Sequence, residues 1–206
     1  FHSVALSIDA LGNLYIADQF NHRIQKWVPG ANEGVTVAGG NGSGSNANQI
    51  SYPLGLAINE SGDLFVSSHT GHYVTKWAQG ANSGTIVAGG NGQGSNANQL
   101  NGAWGIAVDN SDNLYIADYN NDRIQKWVAG ATSGTTVAGG NGSGSNTNQL
   151  NHPSGIQLID NNLFISDNGN NRIQKFNISS NQGVTVAGGN GSGSNANQLS
   201  LPSTIS

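Results

Sequence analysis

The sequence predicts an all-β protein built from four repeated units, each containing four short antiparallel strands. The first observation is repetition: the string that begins at Val37 and ends at Gly42 recurs at 87–92, 137–142 and 186–191. The second is that β-branched and aromatic residues cluster in short runs between turn residues. The third is the lack of an apolar helical period, so no helix is expected. Four strands in about 50 residues are typical of propeller blades.

The third repeat illustrates how each element is predicted. Its runs of strand-forming residues lie at 105–109, 113–118, 123–128 and 135–138. Turn residues separate these runs at 110–112, 119–122 and 130–134. Because the repeats fill the chain, we expect one domain, residues 1–206, with blades at 1–50, 51–100, 101–150 and 151–199 and the start of a further repeat at 200–206.

Several motifs together resemble the NHL repeat family. They are Pro53-x-Gly55-Leu56-Ala57-Ile58, Leu64-Phe65-Val66, an Asp-x-x-Asn-x-Arg-Ile-Gln string and a Gly-Gly-x-Gly-x-Gly loop, and Asn21-His22-Arg23 is close to the signature that names the family. The resemblance covers all four repeats. It implies a β-propeller, which in this family usually has about six blades. It leaves function open, because NHL propellers serve as RNA readers, enzyme bodies, sensors and interaction platforms.

The repeat count does not predict a closed ring. Pro202-Ser203-Thr204-Ile205 aligns with the innermost strand that starts at Pro153, and so with the start of the chain. Three arrangements remain: a segment of a longer array, head-to-tail joining of several copies, or four closed blades with a displaced tail. The chain begins at Phe1 and contains no Met, which favours a processed protein or a stretch of a larger one.

Composition narrows the expected partners. Only 9% of residues are charged and the net charge is −4, so no general attraction to nucleic acid is expected. No apolar run is long enough for a membrane helix, and without Cys there is no disulfide or thiolate chemistry. The cations all lie on third strands and are expected around an outer rim: Arg23, Lys26, Lys76, Arg123, Lys126, Arg172 and Lys175.

Two recurring sets are interpreted as structural. The first combines a carboxylate, an amide and a guanidinium after the second strand, which suits a turn in which Arg pairs with Asp. The second repeat has Ser68, Gly71 and Tyr73 instead, as expected for one network that is lost together. An aromatic residue at one position of each third strand is expected to pack between blades. The sets are Asp18, Asn21, Arg23, Asp118, Asn121, Arg123, Asp167, Asn170 and Arg172, and Trp27, Trp77, Trp127 and Phe176.

The predicted binding site is a position next to the central channel. Trp104 interrupts the repeat there, and its counterparts are Leu54 and Ser154. An accessible Trp at a channel mouth is a good binding anchor. The three residues Leu54, Trp104 and Ser154 are therefore the candidate ligand site.

Other motifs carry weaker expectations. His69 and His72 could begin a metal site, but no third ligand is evident, so no metal is predicted. The Gly-rich loops lack the helix of a phosphate cradle and are expected to be long connections. Glycosylation sequons occur at Asn41, Asn59, Asn141, Asn177 and Asn190.

The function expected from these features is that of a non-enzymatic extracellular or cell-surface propeller that binds a protein or a carbohydrate and has no cofactor. One alternative is a structural unit that assembles head to tail into filaments or rings through its open ends. Another is an NHL-type lyase or hydrolase with a channel metal held by residues such as His69, His72 or His152.

Overall fold

The computed structural model describes residues 5–205 and contains four antiparallel sheets of four strands each. The strands follow the repeats in order. They are β1 Leu6–Ile8, β2 Leu14–Asp18, β3 Arg23–Trp27, β4 Val35–Gly39, β5 Pro53–Ile58, β6 Leu64–Ser68, β7 Tyr73–Trp77, β8 Thr85–Gly89, β9 Ala103–Val108, β10 Leu114–Asp118, β11 Arg123–Trp127, β12 Thr135–Gly139, β13 Pro153–Ile159, β14 Asn162–Asp167, β15 Arg172–Asn177 and β16 Gly183–Gly188.

Each sheet is a meander in which sequential strands are neighbours, as in a propeller blade. The prediction of four four-stranded blades is confirmed. In the third blade, the innermost strand begins at Ala103, two residues earlier than expected, and a register shift lies between Ile116 and Asp118. Such a bulge turns the edge of the innermost strand, which brings Trp104 into the sheet.

The expectation of no helix needs one correction. Short 3₁₀ turns follow the second strand in three blades, at Gln19–Asn21, Tyr119–Asn121 and Asn168–Asn170. Polar residues within a tight turn favour this single 3₁₀ turn without any apolar period. Between residues 5 and 205, no helix has the length and apolarity needed to cross a membrane.

The hydrophobic cores lie between neighbouring blades. Trp77 packs in a cluster with Tyr15 and Ile24 of the first blade, and Trp127 and Phe176 pack in the same way against the blades before them. These three aromatic residues are almost completely buried. The predicted packing between blades is confirmed for these three residues, whereas Trp27 of the first blade is half-buried and belongs to none of these clusters.

The two ends of the array are open. Leu6 is 61% exposed, whereas its counterpart Ile106 is 6% exposed because the second blade covers it. At the other end Ala187 is exposed, although its counterpart Ala88 is buried against the third blade. The sheets therefore form an arc that does not close on itself.

The tail continues the repeat instead of being displaced. A Cβ placed on Gly155 would meet Ser203 O at 2.8 Å and Thr204 Cα at 2.8 Å. A Cβ on Gly105 would meet the backbone of Ser154 and Ile156 in the same way. Residues 203–205 thus lie where the innermost strand of a fifth blade belongs.

Candidate functional site

The innermost strands surround a central cavity of about 370 Å³. Segments of β1, β5, β9 and β13 line it, together with residues 203–205. Neighbouring strands approach closely here, because a Cβ on Gly55 would collide with Trp104 O. Glycine at this position therefore lets the blades converge on the cavity.

Trp104 connects this cavity to an aromatic cluster on the same edge of the blades. Its ring centroid lies 4.7 Å from that of Tyr119, with the planes inclined at 31°, and 5.2 Å from that of His69, edge to face. His152 extends the cluster, 4.6 Å from Tyr119. Offset and edge-to-face pairs of this kind stabilise one another beyond their burial. We call His69, Trp104, Tyr119 and His152 the aromatic mouth.

The repeat explains how these four side chains meet. His69 and Tyr119 follow the second strands of neighbouring blades, β6 and β10, whereas Trp104 and His152 lie at or just before the innermost strands β9 and β13. Hydrogen bonds within each blade fix two of their backbones: His69 N–H donates to Tyr52 O, and Tyr119 N–H donates to Gly102 O. The mouth is thus built on rigid strand ends.

Beside the mouth, a side-chain acceptor on one blade binds a backbone N–H of the next blade. His72 Nδ1 accepts the N–H of Gly102 at 3.0 Å, and Asp122 Oδ1 accepts the N–H of His152 at 2.8 Å. His72 and Asp122 both adopt positive φ, at 59° and 52°. Since Nδ1 must carry a lone pair to accept this bond, His72 acts here as a neutral imidazole.

Burial sets the ionisation of the mouth. It lowers the pKa of His69, and the backbone of Ala103 partly opposes this effect. Burial also lowers the pKa of His72, against the attraction of Asp118, and raises the pKa of Tyr119. His69, His72 and Tyr119 are therefore uncharged near neutral pH, which favours ligands without a strong net charge.

The predicted site residues are only partly brought together. Leu54 and Trp104 both line the cavity, Leu54 buried and Trp104 half-buried. Ser154 is fully buried, and its hydroxyl donates to Pro202 O at 3.3 Å. Sequence reasoning missed Tyr119 and considered His152 only as a possible metal ligand. The signal was present, because Tyr119 occupies the same repeat position as His69.

His69 and His72 make different contacts. His72 Nδ1 serves the blade junction, whereas the His69 ring faces Trp104 and Tyr119. Over the described part of the chain, no group of three or more His, Asp or Glu side chains is placed to hold a metal ion.

The carboxylate, amide and guanidinium set forms an ion pair in the first, third and fourth blades, as predicted, and in the third and fourth blades it also binds the loop of the preceding blade. Arg172 Nε lies 2.6 Å from Asp167, and its other nitrogens donate to Ser145 O and Gln149 O. Asn170 Nδ2 donates to Gly144 O at 2.8 Å. In the third blade Arg123 and Asn121 bind the preceding loop in the same manner. The interaction between blades was not predicted.

The second blade reaches the same loop position with different residues. Tyr73 Oη donates to Gly44 O at 2.6 Å, and Ser68 Oγ accepts the N–H of Ser51 at 3.2 Å. Tyr73 replaces the amide and guanidinium donors, while Ser68 replaces the carboxylate acceptor. Because the residues at these positions together hold the preceding loop, they change together in the second blade.

Comparison with known proteins agrees with this repeated geometry. The NHL repeat family matches residues 100–127 and 150–176, which begin at the end of one clasped loop and run through the third strand of the next blade. The chain therefore contains NHL repeats in its third and fourth blades. No curated protein matches the chain.

Two solved structures are similar to this chain in fold. An auxiliary nutrient binding protein from Bacteroides thetaiotaomicron has a TM-score of 0.63 and 20% identity, over 81% of this chain and 45% of that one. A streptogramin B lyase has a TM-score of 0.59 and 16% identity, over 88% of this chain and 53% of that one. The chain thus spans about half the length of these structures. At these identities the likeness shows the fold alone.

The NHL loops also contain three of the five sequons. Asn41 Nδ2 donates to Gly39 O and to Asn48 O, and Asn141 and Asn190 make the corresponding bonds. These amides pin the loop, so a glycan there would compete with the fold. Asn59 Nδ2 donates to Asp112, whereas Asn177 is exposed and its Oδ1 accepts the N–H of Ser179.

The lysines of the NHL blades have partners within the fold. Each ammonium lies over an aromatic ring of the neighbouring second strand at 5.2–5.7 Å. Lys76 also bridges Asp63 and Asp112, at 3.0 and 2.9 Å. These cations therefore stabilise the blades through cation–π contacts and ion pairs.

Proposed function

We propose that this NHL propeller is a non-enzymatic extracellular scaffold that binds an uncharged ligand at the aromatic mouth. The observation that carries the proposal is the stacked cluster of His69, Trp104, Tyr119 and His152 at the edge of the central cavity. A concave site lined by apolar surface and a few polar groups is the usual form of a small-molecule site.

The chemistry of the mouth favours a carbohydrate. A sugar presents apolar C–H faces that pack on aromatic rings. Its hydroxyl groups form hydrogen bonds with imidazole nitrogens and phenol oxygens. His69 and Tyr119 offer both kinds of surface within 6.2 Å of each other. The solved relative described as a nutrient binding protein supports a binding role in general terms.

Saturation-transfer NMR with a panel of neutral mono- and oligosaccharides tests this proposal. We expect transfer to at least one sugar from the wild-type chain and loss of the signal in Trp104→Ser, which introduces the residue found at the same position of the fourth blade. Trp27→Phe is the matched control, because Trp27 lies on the first blade's open face and not at the mouth. Absence of transfer from the wild-type chain would overturn the carbohydrate proposal.

A separate experiment tests the proposal that the protein is not an enzyme. A lyase or hydrolase would turn over lactone, ester or peptidylglycine substrates, and measurable turnover by the purified chain that is lost in His69→Ala would replace the scaffold proposal with a catalytic one. The extracellular location is supported by the polar, weakly charged surface. Its test is recovery of the protein outside intact cells of its source.

A further inference from the structure

We propose that the open face of the first blade is a docking groove for the last Gly-rich loop of a second copy of this chain. This groove is about 530 Å³ and is lined by Asp18, Arg23, Gln25, Trp27 and Gly34, among others. The corresponding residues of the third and fourth blades hold the loop of the preceding blade. The proposal is independent of ligand binding at the aromatic mouth.

The donors of the groove are in place but have no preceding loop to bind within residues 5–205. Arg23 Nε is 2.8 Å from Asp18, and Asn21 Nδ2 donates to the same carboxylate. The Arg23 side chain is 35% exposed, against 8% for Arg172, whose guanidinium is covered by the loop it binds. The first blade thus presents a clasp of the same composition as those that are filled.

The last loop, residues 191–199, offers the matching acceptors. Its sequence Gly-Ser-Gly-Ser-Asn-Ala-Asn-Gln-Leu repeats that of the first loop except for the final Leu199 in place of Ile50. Gln198 Nε2 donates to Asn190 O, as Gln149 does to Asn141 O in the filled third loop. The loop is therefore pre-organised, which reduces the entropy lost on docking.

A backbone contact would complete the junction. In each internal junction, the N–H of a Gly before the outermost strand donates to the middle of the preceding loop, as in Gly84 to Ala47 at 2.7 Å and Gly183 to Thr147 at 2.6 Å. Gly34 and Ala196 occupy the corresponding positions at the two open ends. The two faces are complementary because the repeat makes them so, and such a contact is heterologous, from head to tail.

Two segments would compete for the innermost strand position between the two copies. Residues 203–205 already lie there, and β1 of the incoming copy would align with the same place. β1 pairs with β2 over three residues, and Leu6 and Ile8 are 61% and 68% exposed, whereas residues 203–205 form no strand. One of the two segments therefore moves when the copies associate.

Sedimentation velocity tests the proposal with one variant for each face. Ala187→Arg places a charge on the outgoing face, where the counterparts Ala38, Ala88 and Ala138 are buried. Arg23→Ala removes the clasp. We expect the wild-type chain to form multiples of 21.1 kDa as its concentration rises. Each variant should weaken association by about tenfold or more, since interfacial charge and packing are lost.

Mixing the two variants distinguishes head-to-tail contact from a symmetric dimer. Each variant retains one intact face, so an equimolar mixture should form dimers that neither variant forms alone. Val184→Arg is the control, because Val184 is 67% exposed and its counterparts are exposed in every blade. It should associate like the wild-type chain.

Three results would overturn the proposal: a wild-type monomer up to about 1 mM, the upper end of weak protein association; association unaffected by Ala187→Arg and Arg23→Ala; or no recovery on mixing. Hydrogen exchange checks the geometry, with slower exchange expected at the Gly34 N–H on association. Circular dichroism of each variant separates loss of assembly from loss of fold. Sugar binding at Trp104 should be unchanged by Arg23→Ala, so failure here leaves the proposed function intact.

Discussion

Single residues differ in importance according to whether a neighbouring blade covers them. The carboxylate of Asp118 is completely buried and bound by Arg123, Asn121 and the N–H of Asn101. Burial raises the pKa of Asp118 and these bonds oppose the rise. The same pair in the first blade, Asp18 and Arg23, faces solvent on one side. Identical residues therefore contribute differently to stability.

This contrast predicts unequal effects of one substitution. Arg123→Ala should lower the free energy of unfolding by about 3–5 kcal/mol, because it leaves a buried carboxylate unpaired. Arg23→Ala should lower it by about 0–1 kcal/mol, as for an exposed pair. Urea unfolding followed by circular dichroism at low protein concentration measures both. Equal losses would contradict the clasp as the source of the difference.

His72 makes one blade junction sensitive to acid. The pKa of His72 is lowered from its ordinary value of 6.5, chiefly by burial, and its Nδ1 must be unprotonated to accept the Gly102 N–H. The junction is therefore fully stabilised above pH 6.5, and this contribution falls as the pH decreases from 6.5 toward the lowered pKa.

His72→Asn should remove part of this pH dependence. The fourth blade already uses Asn171 at the same position, with positive φ and an amide oxygen that accepts the Leu201 N–H at 3.0 Å. We expect a smaller decrease in unfolding midpoint between pH 7 and 5 than in the wild-type chain, measured by thermal denaturation. His69 also has a lowered pKa, so His69→Asn in addition should flatten the curve further. An unchanged pH profile in both variants would argue against this role.

The innermost strands depend on glycine where they meet. A side chain on Gly105 would collide with Ser154 O and press on Gly155 Cα at 3.1 Å. Gly105→Ala should therefore cost about 1–3 kcal/mol through overpacking. Gly155→Ala is the matched control, because it would displace only residues 203–205 and should cost less. Chemical denaturation compares the two, and a larger loss for Gly155→Ala would show that the tail contributes more than the internal junction.

Strands and blades were predictable because their signals are local and repeated. Alternating apolar residues and turn clusters placed the strands within one or two residues, and the common phase of Trp77 and Trp127 indicated packing between blades. The clasp was not predictable in full. A sequence shows that Asp118 and Arg123 recur together, but the loop carbonyls to which Arg123 donates lie more than twenty residues away and carry no side-chain signal.

The candidate site was predicted in part for the same reason. Trp104 stood out because it departs from its own repeat. Tyr119 and His152 converge on it from separate blades, and only the fold brings them within 5 Å of each other. Ser154 was included in the predicted site only because it aligns with Trp104 in the repeat. The C-terminal tail covers Ser154, whose hydroxyl donates to Pro202 O.

At the scale of the whole molecule, the four blades form an open arc. Among residues 5–205, no preceding loop fills the clasp of the first blade, and no further blade covers Ala187 and Leu199 of the fourth. Exposed apolar faces of this kind mark interaction sites or aggregation hazards. The open arc underlies the docking proposal.

Thiol labelling is the most direct test of the open arc, because the chain contains no Cys of its own. Ala187→Cys and Ala88→Cys place one thiol at equivalent positions of the last and second blades. At low protein concentration we expect Ala187→Cys to react with a maleimide about as fast as a free thiol, and Ala88→Cys to react at least about a hundredfold more slowly, because burial limits access. Equal protection of the two thiols would contradict the account and indicate that the blades close into a ring.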